Sequence, residues 1–177
     1  SAWVQYMAGR TDRMCGIMKE VFAGQEERLR CVLSPQTGFR DIAETVLECP
    51  QWAADHPGEG ACYTNVDEIS ITGYFNGCLV RNEEAISSWL EDGRSSALDR
   101  AFEQLEHGGL IEGCSGDDED NLDRTIDSYR FFAELAAARG LGLYVYESGT
   151  HFNFEGGDTV HDFLVEMTRD ERMYELY

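Results

Sequence analysis

Three short runs gather the side chains best suited to chemistry: residues 34–38 with Gln36, residues 73–77 with Tyr74 and Asn76, and residues 146–151 with Tyr146, Glu147 and His151. They offer one carboxylate together with two phenols, amides and an imidazole, a set that holds a polar ligand through directional hydrogen bonds. Glu147 follows the apolar run 141–146, so its carboxylate is partly desolvated, must be hydrogen-bonded and is placed to face a ligand. Tyr74 is suited to donate its phenolic proton to Glu147, fixing its orientation and keeping it ionised. Each residue also has a plainer reading. Glu147 would brace a loop, Tyr74 would pack at a sheet rim, and Gln36, Asn76 and His151 would hydrogen-bond their own loops. Their joint occurrence at strand ends favours the ligand.

The elements that must position them follow from periodicity. Trp3, Met7, Met14, Ile17, Met18, Val21 and Phe22 recur at helical spacing with charges between, predicting an amphipathic helix over 3–22. Residues 28–33, 66–75 and 141–147 read as strands, short, β-branched and bounded by turn residues. Helices are expected at 41–49, stopped by Pro50, and near 82–92, 96–107 and 121–139, with a last one opened by Thr159 and Asp162. Ser96 with Asp99 makes a capping-box pattern. Residues 55–60 are turn chemistry. Strands separated by helices of this length join by right-handed parallel crossovers, the α/β class, in which ligands collect at the carboxyl ends of the strands. Either a small three-layer sheet or a partial (β/α)8 barrel satisfies the order. Alternation along 69–75 puts Ser70, Thr72 and Tyr74 on one face and Ile69, Ile71 and Phe75 on the other, so that in a barrel Tyr74 points inward.

Composition narrows the partners. The chain has 177 residues, 34 acidic and 14 basic, a formal charge of −20, 42% hydrophobic residues and 6 Cys. Its apolar and aromatic content predicts a buried core within a single segment. The acidic field, with no Lys/Arg cluster to reverse it, argues against nucleic acid and anionic membrane surfaces. No apolar stretch approaches a membrane span. The N-terminus lacks a signal-peptide pattern, and the chain reads as excised from something longer. The cysteines show no metal-like spacing, so most are expected to be small buried hydrophobes or free thiols, with one or two disulfides left open. No cofactor or metal is expected.

The run 69–75, followed some seventy residues on by 140–151, resembles bacterial (β/α)8 glycoside-hydrolase-like proteins. Residues 28–36 and 169–173 are further landmarks, and Tyr146 through His151 is the most specific piece. Ser148 departs from the group, which more usually has Gly there. The resemblance implies strands five to seven of a TIM barrel like that of retaining clan A glycosidases, in a secreted protein acting on a β-linked carbohydrate. Glu147 then matches the nucleophile, Tyr74 the residue that orients it, and Gln36, Asn76, Tyr146 and His151 the substrate contacts. The resemblance places the acid/base in an Asn-Glu pair upstream of Ser1, because Asn82-Glu83, the pair in this chain, begins a helix. The fragment alone is then inactive, and the missing barrel strands are its structural partner. Tyr74, Phe75, Tyr146 and Phe152 are candidate sugar platforms.

Three rivals stand beside this reading: a non-catalytic carbohydrate-binding or scaffold barrel, a cation module on residues 117–121 and Asp123, and a free-standing α/β protein. The acidic run reads better as a solvated loop. A barrel fragment, by contrast with a complete domain, would expose the apolar flanks of strands 28–33 and 141–146.

Overall fold

The computed structural model describes residues 2–114, 120–154 and 156–177. Helices precede, separate and follow the strands: α1 (Ala2–Val21), β1 (Val32–Leu33), α2 (Arg40–Glu48), α3 (Pro50–Asp55), β2 (Glu68–Phe75), α4 (Glu83–Glu91), α5 (Arg94–Glu106), α6 (Leu122–Ala137), β3 (Gly142–Thr150), α7 (Asp158–Met167) and α8 (Glu171–Glu175). The strands form a small open parallel sheet in the order β1-β2-β3. This is α/β. The chain divides into two compact units, one of Ser1–Thr72 with Arg130–Glu147 and one of Gly73–Tyr129 with Ser148–Tyr177, so that β2, α6 and β3 each contribute to both.

In the first unit β1 pairs in parallel with the start of β2, Val32 opposite Glu68 and Leu33 opposite Ile69. Ile69 and Ile71 are fully buried on one side. On the other, the Ser34 and Ser70 hydroxyls hydrogen-bond, and Thr37 Oγ1 accepts from the Thr72 amide at 2.9 Å. The alternation expected for this strand therefore holds. Strand β1 is shorter than the expected 28–33, because Glu26–Arg28 winds into a 3-10 turn and the Asp67 side chain takes the Cys31 amide at 2.8 Å in place of a ladder bond.

Pro50 does end α2, yet it also starts α3. Cys49 turns the corner with φ +39, and Pro50 occupies the first helical turn, where its missing N–H leaves no partner wanting. The disulfide Cys49–Cys62 then ties this corner to the following loop, and Cys78–Cys114 spans the second unit, so four of the six cysteines are bonded: the two disulfides left open by the sequence are present, and the expectation that most cysteines are buried hydrophobes or free thiols is corrected. Helix α1 packs on α2, α3 and β1 through small residues. Gly9 seats the Trp52 ring so closely that a Cβ there would overlap it. The apolar row that defined α1 in the sequence faces the other way: Trp3, Met7, Met14, Ile17, Met18 and Val21 are exposed, while Val4, Ala8, Gly9 and Cys15 are buried.

The second unit builds its core from α4, α5 and α7. Ala97, Leu98, Ala101, Phe102 and Leu105 line one stripe of α5 and meet Ile86, Trp89, Val160, Phe163, Leu164 and Met167. The expected Ser96/Asp99 capping box is absent: α5 begins at Arg94 after Gly93, which makes no side-chain cap, and Asp99 instead accepts from Arg172 at 2.9 Å. Likewise α7 opens after Gly157, whose amide donates to Glu83, and not on a Thr159 cap.

Candidate functional site

The exits of β2 and β3 in the second unit hold three of the sequence-derived candidates. Tyr74, half-buried, is the next-to-last residue of β2, and His151, exposed, is the first residue beyond β3. Their rings meet, with centroids 5.0 Å apart and planes 33° from parallel. The Tyr74 carbonyl accepts from Thr125 Oγ1 on α6 at 3.1 Å, which fixes the backbone behind the ring. One residue earlier, Gly73 presents only a hydrogen to the Tyr129 hydroxyl, and a Cβ there would overlap it. Burial raises the Tyr129 phenol above its ordinary value, so it stays protonated.

Asn76 is brought to the same exit and turned to bracing. Its Nδ2 donates to Asp120 Oδ2 at 2.7 Å, its Oδ1 accepts from the Cys78 amide at 3.0 Å, and its own amide and that of Gly77 both donate to the Asp120 carbonyl. Burial lifts the Asp120 carboxyl above its ordinary value, against the lowering pull of its own amide, Arg81, the Cys78 amide and Asn76. Asp120 thus keeps a proton to higher pH than an exposed carboxyl would, which is the property an acid catalyst needs. Below it, fully buried Gln104 donates Nε2 to the Gly77 carbonyl at 2.9 Å and accepts the Leu110 and Ile111 amides on Oε1. With Cys78–Cys114, these bonds hold the β2 exit rigid, the support a ligand-contacting loop requires.

Tyr177 braces the end of β3 in the same unit. The Tyr177 hydroxyl accepts from the Thr150 amide at 2.9 Å and lies 2.8 Å from Thr150 Oγ1, and its ring centroid is 5.9 Å from that of Phe75. Tyr177 itself is 71% exposed. Strand β3 runs to Thr150, three residues past the expected end, and the Tyr177 hydroxyl takes the amide of its last residue. Glu147 therefore lies inside β3 and not at its mouth.

Glu147, Tyr146 and Gln36 belong to the first unit and are all exposed. Gln36 lies three residues past β1, its carbonyl accepting from the Phe39 amide at 3.0 Å. Of the four proposed platforms, Phe75 is buried in the second unit's core and Phe152 packs half-buried against it, whereas Tyr74 is half-buried and Tyr146 is 50% exposed. Asn82 and Glu83 are structural: Asn82 Nδ2 donates to the Cys78 carbonyl at 2.8 Å, and Glu83 holds the Gly157 amide at 3.1 Å. Of the acidic run, residues 117–119 lie outside the described residues. Asn121 is 3% exposed and caps α6 by accepting the Arg124 amide, and Asp123 pairs with His107. No group of three or more metal-ligating side chains occurs among the described residues, and no described helix is long and apolar enough to cross a membrane.

Sequence reading passed over Asp120 as a partner, Gln104, Tyr129 and Tyr177. Only Tyr129 had a signal, since glycine inside a strand marks close approach of another group. No protein-family model, curated protein or solved structure matches the chain.

Proposed function

We propose that this chain carries part of the sugar-binding and catalytic face of a retaining (β/α)8 glycoside-hydrolase-like protein acting on β-linked carbohydrate, with Glu147 as nucleophile and Tyr74 as the residue that orients it. The observation that supports it is the meeting of the Tyr74 and His151 rings where β2 and β3 end. A pyranose lays its C–H face on such rings while hydroxyls, amide and imidazole satisfy its oxygens. Gln36 and Tyr146 are its further polar and aromatic contacts, and Asn76 supports the loop.

In the reaction the Glu147 carboxylate attacks the anomeric carbon and the aglycone oxygen leaves with a proton from a second carboxyl, giving a glycosyl-enzyme; water then attacks, and the second carboxyl takes its proton. Retention needs the two carboxyls about 5–5.5 Å apart. The second carboxyl is a Glu outside this chain, as are the barrel strands that complete the fold. Both the exposed apolar row of α1 and the short β1 are surfaces such strands would cover.

In the protein that contains those strands, Glu147→Gln is expected to lower turnover at least about 10³-fold, roughly 4 kcal/mol of transition-state stabilisation, while leaving oligosaccharide affinity near the parent's. Turnover of β-linked aryl glycosides and calorimetric titration with β-linked oligosaccharides read the two effects. Unchanged turnover in the variant overturns the role given to Glu147, and a parent that binds β-linked oligosaccharide without turning any of it over supports the second reading, a non-catalytic carbohydrate-binding barrel. The structural engagement of Asn82 and Glu83 favours that reading for the chain by itself, since it leaves this Asn-Glu pair no part in proton transfer.

A further inference from the structure

Two cysteines, Cys15 and Cys31, are free thiols, buried at 5% and 4% exposure. They are sixteen residues apart in the chain and lie at the contact of α1 with β1, Cys15 on the buried face of α1 and Cys31 immediately before β1. The approach is fixed by groups other than the sulfurs. Asp67 Oδ1 accepts from Lys19 Nζ at 2.7 Å, and Lys19 stands one helical turn beyond Cys15 on the same face of α1. Asp67 Oδ2 accepts the Cys31 amide at 2.8 Å, and the Cys31 carbonyl in turn accepts the Asp67 amide at 2.8 Å. One carboxylate thus draws the Cys15 face of the helix and the backbone of Cys31 together.

We propose that Cys15 and Cys31 form a third disulfide, joining α1 to the entry of β1. The two bonds already present, Cys49–Cys62 and Cys78–Cys114, are stable only in an oxidising compartment, and there a facing pair of thiols is oxidised by the same small-molecule disulfides. One thiolate attacks a sulfur of a disulfide such as oxidised glutathione and expels a thiolate. The second protein thiolate then attacks the mixed disulfide, expelling the other. The net change is Cys15-SH plus Cys31-SH plus RSSR to Cys15-S-S-Cys31 plus two RSH. The timing is constrained by burial, which closes both sulfurs to a small disulfide and pushes the Cys15 thiol up to about 12, leaving Cys15 nearly devoid of thiolate. Coupling therefore belongs to folding, before α1 closes over β1.

The whole chain, reduced and unfolded, is refolded in a glutathione buffer, quenched with iodoacetamide in denaturant without reductant, and read by intact mass and a non-reducing peptide map. The expected product is lighter than the reduced chain by two hydrogens for each of three bridges, carries no alkylated cysteine, and yields a peptide joining Cys15 to Cys31. The Cys15→Ser chain is expected to carry one alkyl group or one glutathione, on Cys31, with the other two bridges intact. Should that variant fail to fold, the parent map alone decides. Alkylation of both Cys15 and Cys31 in the parent, or Cys15 bonded to glutathione or to any cysteine but Cys31, overturns the proposal.

Discussion

Gly73 lies where a single hydrogen decides whether a phenol can reach the backbone beside Tyr74. Gly73→Ala drives a methyl into the Tyr129 hydroxyl and is expected to cost about 1–3 kcal/mol, the range for overfilling a packed site. Adding Tyr129→Phe removes the clashing oxygen, so the double variant should regain part of that loss. Urea midpoints of the two single variants and the double form the cycle, and strictly additive losses would contradict the contact. The same position shows what a sequence discloses at this scale. Tyr74 and His151 could be named because each adjoins a strand end, a property of local periodicity. Asp120, Gln104 and Tyr177 could not, because their roles are set by where the fold brings them: Gln104 to a carbonyl 27 positions earlier, Tyr177 to an amide 27 positions earlier, and Asp120 to Asn76 44 positions away.

Among the elements, α8 depends most on one charge. Asp170 caps it by accepting the Arg172 amide at 3.0 Å, and binds the Arg172 guanidinium, which also reaches Asp99 on α5 and stacks 4.3 Å over Phe102. The hydrogen bonds from Arg172 hold Asp170 down at about 2, below the ordinary 3.8 of an unfolded Asp. Because the folded value is depressed, this stabilisation is complete above the unfolded value and drains away as pH falls from about 4 through 2. With solvent screening allowed for, it is on the order of 1 kcal/mol. The protection of the α8 amides, their exchange rate divided into the intrinsic rate at the same pH, should therefore fall over that interval in the parent and be already low, and nearly flat with pH, in Asp170→Ala. A parent profile as flat as the variant's would dismiss the cap. The disulfides act on longer segments. Their spans of 13 and 36 residues predict that breaking Cys49–Cys62 or Cys78–Cys114 by paired Cys→Ala changes costs about 3 and about 4 kcal/mol in denaturant titrations. Helix positions were legible in the sequence to within about two residues for most elements, since apolar spacing sets them. Caps were less so, because Gly93 and Gly157 start α5 and α7 where tertiary partners replace a side-chain cap.

At the scale of the molecule two surface properties oppose one another. A formal charge of −20 keeps copies apart, while α1 exposes Trp3, Met7, Met14, Ile17, Met18 and Val21, a row of the kind that monomeric proteins rarely leave open. Periodicity identified this row, but the small residues Ala8 and Gly9, which let α1 approach Trp52, decided which side of the helix turned inward. Repulsion between copies is screened by salt, falling off over about 8 Å at physiological ionic strength, whereas apolar burial is not weakened by it. Raising salt from 10 to about 300 mM should therefore convert the isolated chain from monomer to self-associated forms in sedimentation velocity. Ile17→Glu with Val21→Glu should hold it monomeric throughout, with thermal stability nearly unchanged because both side chains are already exposed. A parent chain that stays monomeric at every salt concentration would show that the row is tolerated bare. That result would also withdraw α1 from the surfaces proposed to meet further barrel strands, and leave the short β1 as the remaining structural support for that proposal.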